Sequence, residues 1–528
     1  DVFADCIPWF SEPCSTMALP AADGTLLRSS ALDGAKAATA VAQVPNVESA
    51  MPSEVVKAAD ADASAHETVQ MREPSCLMQC LLCAIVSLEG SDIHLLGSSM
   101  KALQQDLRLE LTHISYMTVS QMVLTNLAAP FWGILADRGM LQRRTILFIG
   151  ALGQGLVTIL LASVTDMVPM LLLRALNGAL LAALRPVANG IVADMTAESR
   201  RGKIFGRVHS AFLFGIFVTN MTVVPMAPQI VFGFQGWRVA FVLVGSFSVL
   251  VSILVRTLMD EPPCAQVGRG AEWRGCCAAV VTEIQSLVRF FRMPTFCVLI
   301  MKGIFGTIPW SVMGYMALFF QLSGMDNRLV AILTSMGPLM ASAGNILGGL
   351  VSDSLARCFH LHGRPLSAQI TVAIGIPLIY LVFMGIPAGE GTFQMYLVLL
   401  IAFGLFASWA PSGTNFPILS HIVSAEARSR VMAWECALEN SIAHAIGPFV
   451  VSGLAKTFGY TFGTSDSKEE DIPSAQALGK ALAATQCIPW TFCFFFCCLL
   501  HWSYPRDVRR LEHIAQQKAS GCGAASGN

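Results

Sequence analysis

The chain reads GILADRGMLQRR over residues 133–144 and GLVSD over residues 349–353, the second stretch followed by Arg357 and Arg364. In both places a glycine and an aspartate four residues apart close an apolar run, and cations come next. A carboxylate and guanidinium groups at such a junction sit at headgroup depth, where lipid gives way to water. The recurrence of the pattern implies two similar halves. Repeated bundles around a shared central site are a common transporter architecture, because one bundle can rock against the other.

Outward from these stretches, apolar runs of about 20 residues, the length a helix needs to cross a ~30 Å hydrocarbon core, fill the sequence. Six come first, near 77–99, 112–135, 145–164, 168–193, 208–231 and 238–258. Six more lie near 295–321, 328–352, 367–387, 393–418, 432–455 and 485–503. The composition agrees: of 528 residues 54% are hydrophobic and 13% charged, against roughly 25% charge in soluble proteins. Mean hydropathy is +0.59. An all-α polytopic membrane protein with twelve transmembrane helices in two six-helix bundles is therefore expected. The boundaries read as a disordered cytoplasmic tail over 1–75, an N-terminal bundle over 76–259, a cytoplasmic central loop over 260–291, a C-terminal bundle over 292–505 and a cytoplasmic tail over 506–528. The first segment is rich in Ala, Ser, Asp and Pro, which bury too little apolar area to offset ordering entropy. The chain starts with Asp1, which suggests that its true start is missing, and no signal-peptide pattern precedes residue 70.

Basic residues test the span count separately, since short cytoplasmic loops collect them. Alternate gaps carry Arg138, Arg143 and Arg144; Arg200, Arg201, Lys203 and Arg207; Arg269, Arg274, Arg289 and Arg292; Arg357 and Arg364; and Arg428 and Arg430. The gaps between carry far fewer, so both termini are expected on the cytoplasmic side. A formal net charge of −1 gives no footing for a nucleic-acid partner. Sixteen cysteines scattered through apolar stretches do not read as a disulfide framework. Cys76, Cys80 and Cys83 share a helix face at the membrane boundary, where packing or acylation is expected rather than metal binding. Gly344 and Gly348 permit close helix approach. With no phosphate-binding loop, ATP-driven transport is not expected, nor is a metal, a cofactor or enzymatic catalysis.

Gly133, Asp137, Arg138, Arg143 and Arg144, with Arg174 and Gly178 in the fourth run and Gly236-Trp237-Arg238 before the sixth, together resemble the major facilitator superfamily over about residues 76–505. The stretches GTIPWSVMGYMALFFQLSGM (306–325), SWAPSGTNFPILSHIVSAEARSRVMAWECALENS (408–441) and GPFVVSGLAKTFGY (447–460) look like its spinster-like branch of plants and algae. The resemblance implies alternating access, a cytoplasmic gating loop, and a sphingoid or lysolipid compound among the candidate substrates. The family loop usually reads D-R-x-G-R-R, whereas here four residues separate Arg138 from Arg143-Arg144. In the second half, Gly349 and Asp353 are followed by Ser354. Asp137 and Arg138 read as a latch between bundles or as a headgroup anchor.

Ionisable groups at membrane depth are site candidates, because an unpaired one is costly there. Glu89 and Asp92 share a face of the first run, as proton carriers or as packing bonds. Arg174 and Arg185, eleven residues apart, return to within ~20° of one helix face, with Asn177 nearby. They bind an anionic solute or pair with the carboxylates, and Arg185 has a third option of snorkelling to the surface. In the eleventh run Glu439 and His444 lie at pathway depth, while Glu435 reads as an interface anchor. His444 either titrates or makes a structural hydrogen bond. Trp310, Trp409 and Asn415 occupy Pro-interrupted runs suited to gates, though an aromatic there also serves ordinary packing. The expected protein is a monomeric secondary transporter with a small-molecule or lipid substrate and protons as candidate coupling ion. The rivals are a carrier of small polar metabolites and a non-transporting receptor.

Overall fold

The structure, a computed structural model, describes residues 75–137, 140–196, 198–261, 285, 287–387, 390–423, 428–461 and 468–525. Helices follow the apolar runs because backbone groups in hydrocarbon must bond within their own segment. The N-terminal half comprises α1 (Cys76–Ser98), α2 (Met100–Leu107), α3 (Leu111–Asp137), α4 (Arg143–Leu161), α5 (Met167–Leu181), α6 (Leu184–Met195), α7 (Glu198–Met226) and α8 (Gly236–Leu258). The C-terminal half comprises α9 (Pro294–Ser311), α10 (Tyr315–Leu322), α11 (Asn327–Tyr380), α12 (Phe393–Ala407), α13 (Phe416–Ile422), α14 (Arg428–Thr457) and α15 (Lys468–Ala525). A two-stranded hairpin, Ile230–Val231 with Phe234–Gln235, precedes α8.

Among the described residues, nine helices are long and apolar enough to cross a membrane. One of them, Asn327–Gly385, has 59 residues and breaks at Phe359 and His360, where His360 has φ 37°. That break turns one continuous segment into two passes. With the shorter apolar α12 and the longer, more polar α14, the layout fits twelve passes. Leu172, Leu243, Ile346 and Phe495 are among many large apolar side chains left exposed, as expected where lipid is the solvent.

Local breaks have identifiable causes. Pro186 lacks an N–H and crowds the carbonyl four residues back, and the fourth span accordingly parts into α5 and α6 at Ala182–Ala183. The tenth span ends its α-helix at Ala407 and continues through a π turn, Pro411–Asn415, into α13. The expected twelfth run, 485–503, proves to be the middle of the much longer α15. Trp237 and Arg238 pin the start of α8: the indole donates to Asp106 at 3.0 Å and the guanidinium to the Ala162 carbonyl at 2.6 Å.

Helix pairs α1 with α7, α3 with α5 and α4 with α8 build the N-terminal bundle, and α9 with α14 and α15 and α11 with α12 build the other. The bundles meet through α3 against α14 and α7 against α11. A Cβ on Gly178 would overlap the Gln121 carbonyl, and one on Gly215 would overlap that of Ser87. Only glycine lets these helices approach so closely. One end of the bundles carries the basic loops, and the opposite end is the distal side.

Candidate functional site

Asp92 is fully buried in α1 and accepts three hydrogen bonds from neighbouring helices. Gln121 of α3 donates to its Oδ1 at 2.7 Å, while Thr158 of α4 and Asn177 of α5 donate to Oδ2 at 2.8 and 3.2 Å. Gln121 also donates to Asn177 at 2.7 Å and takes a bond from Arg174 on its own carbonyl oxygen. Arg174 is thus joined to Asp92 through an intervening amide. Its Nε is buried without a partner.

Glu89 faces a different neighbour. Arg185 of α6 donates to its Oε1 through both Nε, at 2.9 Å, and Nη2. The same guanidinium covers the Phe212 ring at 4.4 Å, and Glu89 Oε2 has no partner. The two carboxylates therefore enter separate networks although they share a helix face. Arg174 is 1% exposed and bonds Gln121, whereas the Arg185 side chain is 41% exposed and bonds Glu89. Of the expected alternatives, the structure shows Arg185 paired with the Glu89 carboxylate.

Two adjoining cavities lie where the bundles meet. The larger, about 200 Å³, is lined mainly by apolar groups including Leu213, Met316, Phe403 and Trp310, with His94 and Asn220 as polar edges. The smaller, about 80 Å³, is lined by Gln121, Arg174, Tyr315 and His444, and it shares His94, Trp310 and Met313 with the first. His444 Nδ1 donates to the Asn440 carbonyl at 2.8 Å, leaving its Nε2 side for the cavity. Trp310 and His444 thus stand with Arg174. Trp409 packs on Gly348 instead, its indole bonded to the Leu405 carbonyl at 2.7 Å.

On the distal side the bundles are joined. Lys101 pairs with Asp471 at 2.8 Å, Tyr460 donates to Gln104 at 3.1 Å, and Ser115 donates to the Pro448 carbonyl at 2.9 Å while bonding the Tyr315 hydroxyl. Gly97 lies against Gly314. Asn220 donates to the Thr334 carbonyl at 3.1 Å.

At the basic-loop end, Arg138 lies outside the described residues, and of Asp137 only the helix end it forms is described. Arg143 pairs with Asp194 at 2.6 Å, its backbone N–H donates to Glu261 at 2.9 Å, and Arg144 donates to the Met259 carbonyl at 3.1 Å. The displaced basic pair therefore braces α4 against the ends of α6 and α8. In the other half Arg364 pairs with Asp353 at 3.2 Å, and a Cβ on Gly133 or Gly349 would meet open space.

Sequence reasoning passed over Lys302, which is 2% exposed in α9 and donates to Asn415 at 2.5 Å. Asn415 donates in turn to Glu435 at 2.6 Å, and Glu439 follows one turn later. Glu435 is fully buried, so the expected interface anchor is instead an internal group. A single lysine inside MKGIFG was the available signal. Gln121 and Thr158 were also missed, since neutral polar residues are ordinary in membrane helices.

The sequence profile of the Major Facilitator Superfamily matches residues 81–462. Multidrug resistance protein MdtG of Escherichia coli is 31% identical over 128 residues, which is 24% of this chain and 29% of that protein. The chain thus spans under a third of the length of the curated relatives it matches. Among solved structures, a bacterial homologue of the human lysosomal transporter Spinster, inward-facing and occupied, superposes with a TM-score of 0.66 at 17% identity, covering 81% of this chain and 97% of that one. A D-xylose–proton symporter gives 0.59 at 15% identity, covering 79% and 96%. At these identities the likeness is one of fold.

Proposed function

The chain belongs to the major facilitator superfamily, and on that premise we propose that it is a secondary transporter that moves an amphipathic organic solute by alternating access. The carrying observation is the cavity pair between the bundles: an apolar chamber opening onto Arg174, whose Nε has no protein partner. A guanidinium with an unused donor in a low-dielectric site favours an anionic or strongly polar head. Trp310 and Phe403 offer an apolar part of the solute its contact surface. The local match to a multidrug resistance protein supports an organic cargo, and the likeness to a Spinster homologue supports the two-bundle fold on which alternating access depends.

Together the cavities fall short of the roughly 300 Å³ at which drug-sized sites begin. In this conformation they suit a head group and a short apolar part, and a long chain would extend into the gap between bundles. Their size also favours a second reading, a small polar metabolite held by Arg174, Gln121 and His444. Cytoplasmic termini and a latch at Asp137–Arg138 complete the proposal, supported by the loop charges alone.

The test is flux into proteoliposomes across a panel of single-chain anionic amphiphiles, zwitterionic lysolipids and polar metabolites. Saturable flux of an anionic amphiphile, lost in Arg174→Gln, is the expected result. Flux of polar metabolites only selects the second reading, and binding without flux of any compound overturns both.

A further inference from the structure

The C-terminal bundle holds a buried charge cluster that the solute cavities do not use. Lys302, Asn415 and Glu435 form a continuous hydrogen-bonded chain across α9, the π turn and α14. Candidate ligand atoms of Glu435, Cys436 and Glu439 lie within 4.8 Å of one another. Glu439 Oε2 is buried with no hydrogen-bond partner, and the missing side chain of Gly303 is what makes room for it, since a Cβ there would overlap that oxygen. The cluster thus contains two carboxylates, one ammonium and one orphaned acceptor.

Charge balance decides what completes it. Two carboxylates this close cannot both ionise cheaply in a low-dielectric interior when a single cation faces them. One proton brings the set to neutrality and gives the orphaned oxygen its function, whereas the ammonium already present works against a divalent cation. We propose that Lys302, Asn415, Glu435 and Glu439 form a proton-binding site holding one proton shared between the two glutamates at neutral pH.

Among the described residues the surroundings offer no competing counter-charge of that kind. From α15 the facing titratable groups are Cys493 and Cys497, and from α6 Arg185 interacts electrostatically with Cys436 while paired to Glu89. His421 of α13 is engaged by the Tyr504 hydroxyl at 2.6 Å. The described titratable side chains of α3, His113 and Tyr116, sit near its distal start. Glu439 precedes His444 by five residues in α14, about 7.5 Å along the axis from the cavity towards the basic-loop end. A proton there would meet the solute path from that side. This coupling role rests on the transport reading above; the proton's presence does not.

Infrared difference spectra of the purified full-length chain at neutral pH test it. Glu439→Gln and Glu435→Gln should each remove one protonated-carboxyl band, because the remaining glutamate then pairs with Lys302 and ionises. Lys302→Met should add one, because both glutamates are then driven neutral. Should the Gln variants not fold, Gly303→Ala retains both acids and must shift the band by pressing on Glu439. Difference spectra showing only loss of ionised carboxylate, or a Gly303→Ala band identical to wild type, overturn the proposal. In a flux assay Glu439→Gln should then lose pH dependence while solute binding persists. Absence of flux with any solute would count against the transport reading and leave the infrared result standing.

Discussion

Replacing Asp92 with Asn changes one atom and reverses a hydrogen-bond role at the centre of the N-terminal bundle. The carboxylate accepts from Gln121, Thr158 and Asn177 at 2.7, 2.8 and 3.2 Å. An Asn oxygen can keep the Gln121 bond, but its amino group then confronts the Thr158 hydroxyl and the Asn177 amide. Two bonds to a charged acceptor are lost, about 1.5–3 kcal/mol each. Thr158 can turn wholly to the Gln154 carbonyl, which it already reaches at 2.9 Å, and Asn177 retains the Thr158 oxygen at 2.9 Å. The net loss expected is about 2–4 kcal/mol. Denaturant unfolding in micelles, followed by tryptophan fluorescence, measures it, and a double-mutant cycle with Thr158→Val should show coupling of about 1 kcal/mol. A loss well under 1 kcal/mol without coupling would refute the reasoning: it would mean that the three bonds to Asp92 contribute little to the bundle.

Gly178→Ala drives a methyl into the Gln121 carbonyl, so it should cost about 1–3 kcal/mol in the same assay. Lys101→Met removes an ion pair whose side chains are 22% and 24% exposed, worth about 0.2–1 kcal/mol, and should raise the distal-open population by up to about fivefold in spin-label distance measurements. Protease-cleavable tags at either terminus or within 260–291 should be cut only from the side bearing the basic loops, and protection of one terminus alone would break the twelve-span layout.

The span pattern was legible because a membrane imposes length and apolarity on every crossing, and the repeated Gly-x-x-x-Asp stretch supplied the symmetry. Arg174, Asn177 and Asp92 stood out for the complementary reason that polar groups are costly there. Pairing with the carboxylates was among the expectations, but which arginine meets which carboxylate was not legible. Both arginines lie on the fourth span, yet Arg185 meets Glu89 directly while Arg174 reaches Asp92 only through Gln121, a division set by the neighbouring helices. Glu435 was misread from its nearness to a loop, because depth along one helix says nothing about what the neighbouring helices place beside it. Lys302 needed the same knowledge: its partner Asn415 is 113 residues away and reaches it only because the tenth span unwinds.

In the proposed transport cycle, solute passes between bundles that open and close at the distal side. Lys101→Cys with Asp471→Cys, joined by a short reductant-cleavable cross-linker, holds that side shut where the ion pair now bridges it at 2.8 Å. Flux in proteoliposomes should stop on cross-linking and return on reduction, while wild type treated alike keeps its activity. Undiminished flux through the cross-linked protein would contradict alternating access along this path.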